Sequence, residues 1–401
     1  MNLESPKKFA MLVEQAHQVA LNVLRPVSRK YDKAEHAYPK ELDMLAALLD
    51  GMNEGATNAV GAASTGTGIT EKDTATIKNG ANMSAALSIM EMCWGDVGLL
   101  LAMPRQGLGN AAIAAVANDE QLQRFKGKWA AMAITEPGAG SDSAAIRTTA
   151  VRDGDHYILN GEKIYVTSGE RADSVVVWAT LDKHVGRAAI KSFVVDHGTP
   201  GMTVTRLEHK LGIKASDTAA ISFMDCRVPA ENLLGSPEID VQKGFGGVMQ
   251  TFDNTRPLVA AMAVGVAEAA IQRTRELLKD QLSVNYAHPP LQASYVEATL
   301  DRLEAETEAA RLLTLKAAWM ADNKQPNSKE ASIAKAKAGR VANEVTLKCV
   351  ELCGAVGYGE TELLEKWARD SKILDIFEGT QQIQLLIIAR RLLNKTSAEL
   401  K

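Results

Sequence analysis

Neither sign of charge dominates these 401 residues, in which 45 Lys and Arg face 49 Asp and Glu for a formal net charge of -4. No basic cluster interrupts that balance. A face able to neutralise several backbone phosphates is therefore missing, and nucleic acid is not an expected partner. Cysteine is scarce. Cys93, Cys226, Cys349 and Cys353 show no paired metal-ligand spacing, and the last two sit four apart in an apolar helical pattern, which reads as core rather than zinc. The histidines are scattered: none forms His-Glu-x-x-His and none accompanies a serine in a nucleophile elbow, so metalloprotease and hydrolase chemistry have no support. The longest apolar stretch, Leu258 to Ile271, is too short for a bilayer and carries Glu268. Met1 to Lys8 lack a secretory h-region or an Arg-rich transit pattern. The expectation is a cytoplasmic protein with no membrane insertion, long enough for two or three packed units.

What is present falls into three zones. Residues 1–128 are rich in Ala, Leu, Met and Glu at helical spacing, as in Leu42, Met44, Leu45, Leu48 and Leu49, with a Gly/Ser/Thr break from Gly61 to Gly68. Residues 129–237 change to short β-rich runs such as Ser174 to Trp178 and Ser192 to Val195. Asn160-Gly161, between Tyr157-Ile158-Leu159 and Ile164-Tyr165-Val166, predicts a hairpin, because both residues tolerate positive φ. Residues 238–401 return to long helices over Leu258–Leu278, Leu291–Asp322, Ser332–Leu352 and Gln381–Leu393. In the first of these, Ala260, Ala261, Ala263, Gly265, Ala267, Ala269 and Ala270 permit close backbone approach or simply favour helix.

Three segments stand out chemically. Thr135-Glu136-Pro137-Gly138-Ala139-Gly140-Ser141-Asp142 makes a fixed loop with bare N–H groups, suited to a flat polar ring or phosphate, or to a plain turn between strands. Tyr165-Val166-Thr167-Ser168-Gly169 sets an aromatic and hydroxyls at a strand end. In Asp375-Ile376-Phe377-Glu378-Gly379-Thr380 a lone carboxylate lies in apolar company just before a helix that Thr380 can cap. Desolvation would raise such a carboxyl toward a useful general base, and an exposed loop Glu at a helix start is the alternative. Arg256, in Phe252 to Pro257, suits an anionic ligand or a carboxylate partner.

Together these segments resemble the acyl-CoA dehydrogenase family across almost the whole chain. The stretches that carry the resemblance are Ala133 to Asp142, Leu159 to Gly169, Lys210 to Thr218, Arg227 to Gly235, and Phe377-Glu378-Gly379-Thr380 with Ile383-Gln384 and Ile388-Ala389-Arg390. The resemblance implies an α+β multidomain fold: an N-terminal all-α domain, a middle β-barrel or sandwich-like domain, and a C-terminal four-helix bundle. It implies an FAD-dependent oxidoreductase of fatty acid β-oxidation that converts an acyl-CoA thioester to the trans-2-enoyl-CoA and passes electrons to an electron-transferring flavoprotein. Matched residue by residue, Glu378 is the α-proton base. Met132, Ile134, Thr135, Gly140, Ser141, Tyr165, Thr167, Thr380 and Gln382 hold FAD, and Ser141, Arg256, Glu378 and Gly379 hold substrate. No metal is implied.

The sequence also departs from the family. An Arg-x-x-Phe-Gly segment that reaches a neighbouring subunit's FAD is replaced by Lys279 to Asn285, and a Gln serving the same flavin is Glu351. Each change removes roughly a charge-assisted hydrogen bond, ~1.5–3 kcal/mol. Tyr165 stands where many members have Trp, and Gly55 to Gly68 replace the usual Gly-Gly loop. The family default is a homotetramer. The departures also fit a heterotetramer with a paralogous chain, or a non-catalytic or partly flavin-binding subunit that stabilises one.

Overall fold

The computed structural model describes residues 6–54, 79–105, 107–240, 246–282, 293–396 and 399, with the backbone alone for 48–54, 246–252 and 254. The first part is helical. α1 (Ala10–Val19) passes through a π-helical turn, Ala20–Leu24, into α2 (Arg25–Lys33), followed by α3 (Glu41–Glu54), α4 (Ala81–Leu101), α5 (Leu108–Val116) and α6 (Asp119–Arg124). Among the described residues α4 is the one helix long and apolar enough to cross a membrane, and 78% of its apolar window is buried inside the protein. It is apolar all round because neighbours cover it, with α1 on one side and the C-terminal helices on the other. Met92, Cys93, Trp94 and Met103 are buried there as core.

The middle part is a seven-stranded sheet. Its strands are β1 (Ala130–Ala133), β2 (Thr149–Asp153), β3 (His156–Thr167), β4 (Ser174–Thr180), β5 (Ile190–Asp196), β6 (Met202–Leu207) and β7 (Thr218–Pro229). They run β1-β4-β2-β3-β7-β6 with β5 added beside β4. β4 is buried along its whole length. Val175, Val177 and Ala179 enter one apolar core, while Val176 and Trp178 enter a second beneath α5, which explains its unbroken hydrophobic text.

The expected Asn160-Gly161 hairpin is absent. β3 runs straight through it, and the pairing with β7 shifts register between Leu159 and Gly161. Asn160 exchanges hydrogen bonds with Asp225, and a Cβ at Gly161 would lie 2.4 Å from Thr148 Oγ1. Glycine here answers a bulge and a close approach, not a turn. The real hairpin joins β2 to β3 at Gly154-Asp155, with Gly154 at φ 60°.

The last part comprises α7 (Gly246–Leu277), α8 (Tyr295–Asp322), α9 (Ser328–Tyr358), α10 (Leu364–Ser371) and α11 (Gln381–Leu393). α7 begins at Gly246 rather than Leu258 and carries Pro257 inside it. α9 runs from Ser328 rather than Ser332 and continues past the kink at Gly354 to Tyr358. Packing of α7 against α4 and α9 overrides the local breaking tendency of proline. The small residues of α7 do permit close approach, since a Cβ on Gly265 would sit 2.0 Å from the Met90 carbonyl oxygen.

Charged residues tie the three parts together. Asp96 interrupts α4 with extended backbone angles and accepts from Ser28 Oγ, Leu99 N and Lys366 Nζ. Lys366 also reaches Asp370, whose other oxygen accepts from Ile213 N. Arg369 bridges Asp32 and the Leu211 carbonyl. Two histidines scattered in the sequence meet at this seam: His209 Nδ1 lies 2.9 Å from Glu35 Oε2, and its ring is 5.1 Å from that of His36.

Candidate active site

The site residues fall into two groups, each built on its own elements. The first lies at the end of β1. Met132 and Thr135 are half-buried and Ile134 is buried. Glu136 and Ala139 pair backbone to backbone to close a turn, and Gly140 and Ser141 lie exposed just after it. The Glu136 carboxylate points inward and accepts from Arg147 N, Thr148 N, Thr148 Oγ1 and Lys163 Nζ at 2.6–2.9 Å. Lys163 is fully buried, also donates to the Ile134 carbonyl at 3.1 Å, and has its pKa lowered to about 8 by burial, against the opposing pull of Glu136. This ion pair makes the turn rigid from below and leaves its outer face open.

Ile164 N donates to the Thr135 carbonyl at 2.9 Å, which sets the end of β3 beside the turn. Thr167 is half-buried there. Tyr165 adopts φ 56° and is 63% exposed. A non-glycine residue in that region is uncommon, and the bend turns an aromatic ring outward instead of into the core. Met132, Ile134, Thr135, Tyr165 and Thr167 are thus brought together on neighbouring strand ends.

The second group surrounds Glu378. Glu378 and Gly379 both take left-handed angles, φ 55° and 89°, after which Thr380 caps α11 by accepting from Ile383 N. Thr255 Oγ1 on α7 donates to Glu378 Oε2 at 2.7 Å. Burial raises the Glu378 pKa above the usual carboxylate range, and Thr255, Arg256 and Lys335 pull it back. Arg256 is only 3% exposed and donates to Asp253 at 2.6 Å, so it meets a carboxylate within its own helix. Lys335 on α9 donates to the Gly379 carbonyl at 2.6 Å. Gln384, fully buried, donates to the carbonyls of Glu378 and Gly379 at 3.0 and 3.1 Å. Gln382 is exposed on the opposite side of α11.

Sequence reasoning missed Thr255 and Lys335 as site residues, and passed over Gln384 except as part of a motif. Lys335 had a readable signal: it falls in the small-residue stripe Ala331, Ala334, Ala338, Ala342 of α9, where a charge is out of pattern. Of the departures, Glu351 is exposed and bonds Lys348 at 2.6 Å, and Lys279–Gln281 form a short 3-10 turn after α7. Ser283 to Asn285 and Gly55 to Gly68 lie outside the described residues.

The sequence model of the acyl-CoA dehydrogenase middle domain matches residues 131–226, and that of the C-terminal domain matches residues 242–393. The chain belongs to the acyl-CoA dehydrogenase family. It is 32% identical to the mitochondrial short-chain specific acyl-CoA dehydrogenase of Mus musculus, over 98% of this chain and 92% of that protein. It is 33% identical to the NADH acryloyl-CoA reductase of Anaerotignum propionicum, over 98% and 97%. The solved structure of butyryl-CoA dehydrogenase from Megasphaera elsdenii superposes with a TM-score of 0.84 at 32% identity, covering 98% of this chain and all of that one. The family's helix, sheet and helix arrangement is the one described above.

The first group fits the isoalloxazine of FAD. Its open turn is backed by a buried ion pair, its threonine side chains sit at two adjacent strand ends, and an aromatic face projects beside them. A planar ring bearing polar edges needs such flat, hydroxyl-edged support.

Proposed function

We propose that this acyl-CoA dehydrogenase family member, an FAD-dependent oxidoreductase, performs α,β-dehydrogenation of an acyl-CoA thioester to the trans-2-enoyl-CoA, with Glu378 as the base. The observation that carries the reading is the Glu378 carboxylate. It is half-buried, with a pKa that burial raises, held by one hydroxyl at 2.7 Å, and perched on a left-handed turn that no ordinary loop glutamate would need. Glu378 takes the α proton as an ionised carboxylate, and a raised pKa strengthens it for that transfer. Its own backbone N–H then faces the thioester oxygen, where negative charge develops. FAD, when bound, would supply the hydride acceptor for the β carbon; Met132, Ile134, Thr135, Gly140, Ser141, Tyr165 and Thr167 would hold it, with Thr380 and Gln382 toward its far end. Ser141, Arg256 and Gly379 complete the substrate contacts. An electron-transferring flavoprotein would be the oxidant that returns the cofactor to its oxidised state.

The names of the Mus musculus short-chain relative and of the Megasphaera elsdenii butyryl-CoA dehydrogenase support starting with butyryl-CoA, and the acryloyl-CoA reductase supports testing the same chemistry in reverse. The domain limits 1–128, 129–237 and 238–401, a cytoplasmic address and a tetramer, homomeric or with a paralogous chain, belong to the same proposal. Glu351, exposed and paired to Lys348, supports the heteromeric form. Flavin per chain in the isolated protein decides it: one FAD per chain excludes a partner requirement. For the reaction, we expect Glu378→Gln to lower turnover of butyryl-CoA with a dye acceptor by roughly a thousandfold. Full activity in that variant would remove Glu378 as the base.

A further inference from the structure

Lys335 is the least explained charge in the bundle. Its side chain is fully buried, and its Nζ donates to a neutral carbonyl, that of Gly379, at 2.6 Å. Among the described residues it makes no ion pair. A buried ammonium without a carboxylate in contact is costly, and such a group persists where it has work to do. The strand it holds is the Glu378–Gly379 turn, whose two left-handed residues are strained unless something over-determines them. Gln384 grips the same turn from α11 through both carbonyls, and a Cβ at Gly379 would lie 2.5 Å from its Nε2. The turn is therefore clamped from α9 and α11 at once. The charges that act on Glu378 are Arg256 on α7 and Lys335 itself; Asp375 on the preceding turn acts on Lys335, Asp253 on Arg256, and Arg391 from α11 on Asp253.

We infer that Lys335 is a positioning residue for the Glu378 base: it fixes the Gly379 carbonyl so that the Glu378 turn presents carboxylate and N–H together, and its charge favours the ionised carboxylate. This rests on the assignment of Glu378 given above. Lys335→Met removes both effects, while Lys335→Gln retains a donor for the carbonyl without the charge.

The test uses the FAD-loaded enzyme with butyryl-CoA and a dye acceptor, followed across pH. Turnover needs ionised Glu378, so it rises with pH through that group's pKa, and loss of a nearby cation moves this acid limb upward. We expect Lys335→Met to shift the limb up by about one pH unit and to lower kcat about tenfold on its plateau, with KM within about threefold. Lys335→Gln should shift the limb but keep most of the plateau, and Lys335→Arg should return the limb to its parental position. A second readout needs no turnover. Burial lowers the Lys335 pKa to about 8, so the folded parent releases its proton before the unfolded chain does, and its stability relative to Lys335→Met grows between about pH 8 and the ordinary lysine range. An unmoved acid limb in both Lys335→Met and Lys335→Gln overturns the charge role, even if one of them folds poorly. Undiminished plateau kcat in Lys335→Met overturns the clamp. If Glu378→Gln itself stays active, the base assignment has failed instead.

Discussion

Lys366 and Lys335 are both buried in the C-terminal helices and end in opposite company. Lys366 touches two carboxylates, Asp96 at 2.7 Å and Asp370 at 2.5 Å, and they raise its pKa despite full burial. Lys335 touches a carbonyl and its pKa falls to about 8. The first network is closed. Ser28 shares the Asp96 oxygen that Lys366 holds, and the remaining oxygens of Asp96 and Asp370 accept from Leu99 and Ile213, so each charged group has direct partners and the N-terminal helices, the sheet loops and α10 are locked to one point. The second is left open toward Glu378. Complete pairing serves assembly of the fold, whereas incomplete pairing keeps a carboxyl poised between protonation states.

The largest effect should come from breaking the closed network. Lys366→Met leaves Asp96 and Asp370 buried without a counter-charge, and we expect a loss of about 3–5 kcal/mol in denaturant unfolding near neutral pH. Because the folded pKa of Lys366 is raised, its contribution is fully present below the unfolded value near 10.5 and disappears as pH climbs through the folded one. Lys335→Met should show the reverse balance, with little change in stability near neutral pH and a large one in turnover. Equal stability losses in the two variants would erase the distinction between the networks.

How much of this was readable beforehand differs by type of residue. The helical and β zones follow from periodicity, and α11 begins and ends at Gln381 and Leu393 as expected. Thr135, Thr167 and Glu378 stand in unusual local text, so a motif exposes them. Asn160-Gly161 shows the limit of local text: the dipeptide tolerates a turn, but the neighbour that decides its role is Thr148, thirteen residues before Gly161 and just ahead of the paired strand β2. Lys335 and Thr255 were hidden for the same reason. Thr255 is ordinary on its own helix, Lys335 shows only as a charge out of pattern in a small-residue stripe, and both gain their meaning where α7, α9 and the turn before α11 converge, a convergence that long-range packing creates.

A smaller effect should sharpen the picture of the open network. Thr255 Oγ1 gives Glu378 its one direct side-chain hydrogen bond described, and a bond of that kind to an ionised carboxylate contributes about 1.5–3 kcal/mol. Thr255→Val keeps the shape and removes the donor, which favours the protonated form. The acid limb of the pH–kcat profile should therefore rise by about one unit or more. Combining it with Lys335→Met then measures coupling, and shifts that add fully would show that hydroxyl and cation act on Glu378 independently.

The smallest effect concerns a carboxyl remote from both networks. Glu268, half-buried on α7, has a pKa raised to about 7 by burial and by Glu91 on α4, with Arg311 opposing and Glu308 adding to the rise. Arg311 is engaged in a two-pronged bond to Glu308 at 2.6 and 2.7 Å, which limits its help. Folded Glu268 holds its proton to higher pH than the unfolded chain, so its contribution to stability declines from the ordinary carboxylate range up to about pH 7. Glu268→Gln resembles the protonated form and escapes that decline. Its melting temperature should match the parent near pH 4.5 and exceed it by roughly 2 °C at pH 8. Turnover and its acid limb should stay at parental values. An under-paired buried carboxyl would then be shown to matter for catalysis only beside the Glu378 turn, whereas a shifted limb in Glu268→Gln would mean that the open network extends along α7 well beyond Thr255 and Arg256.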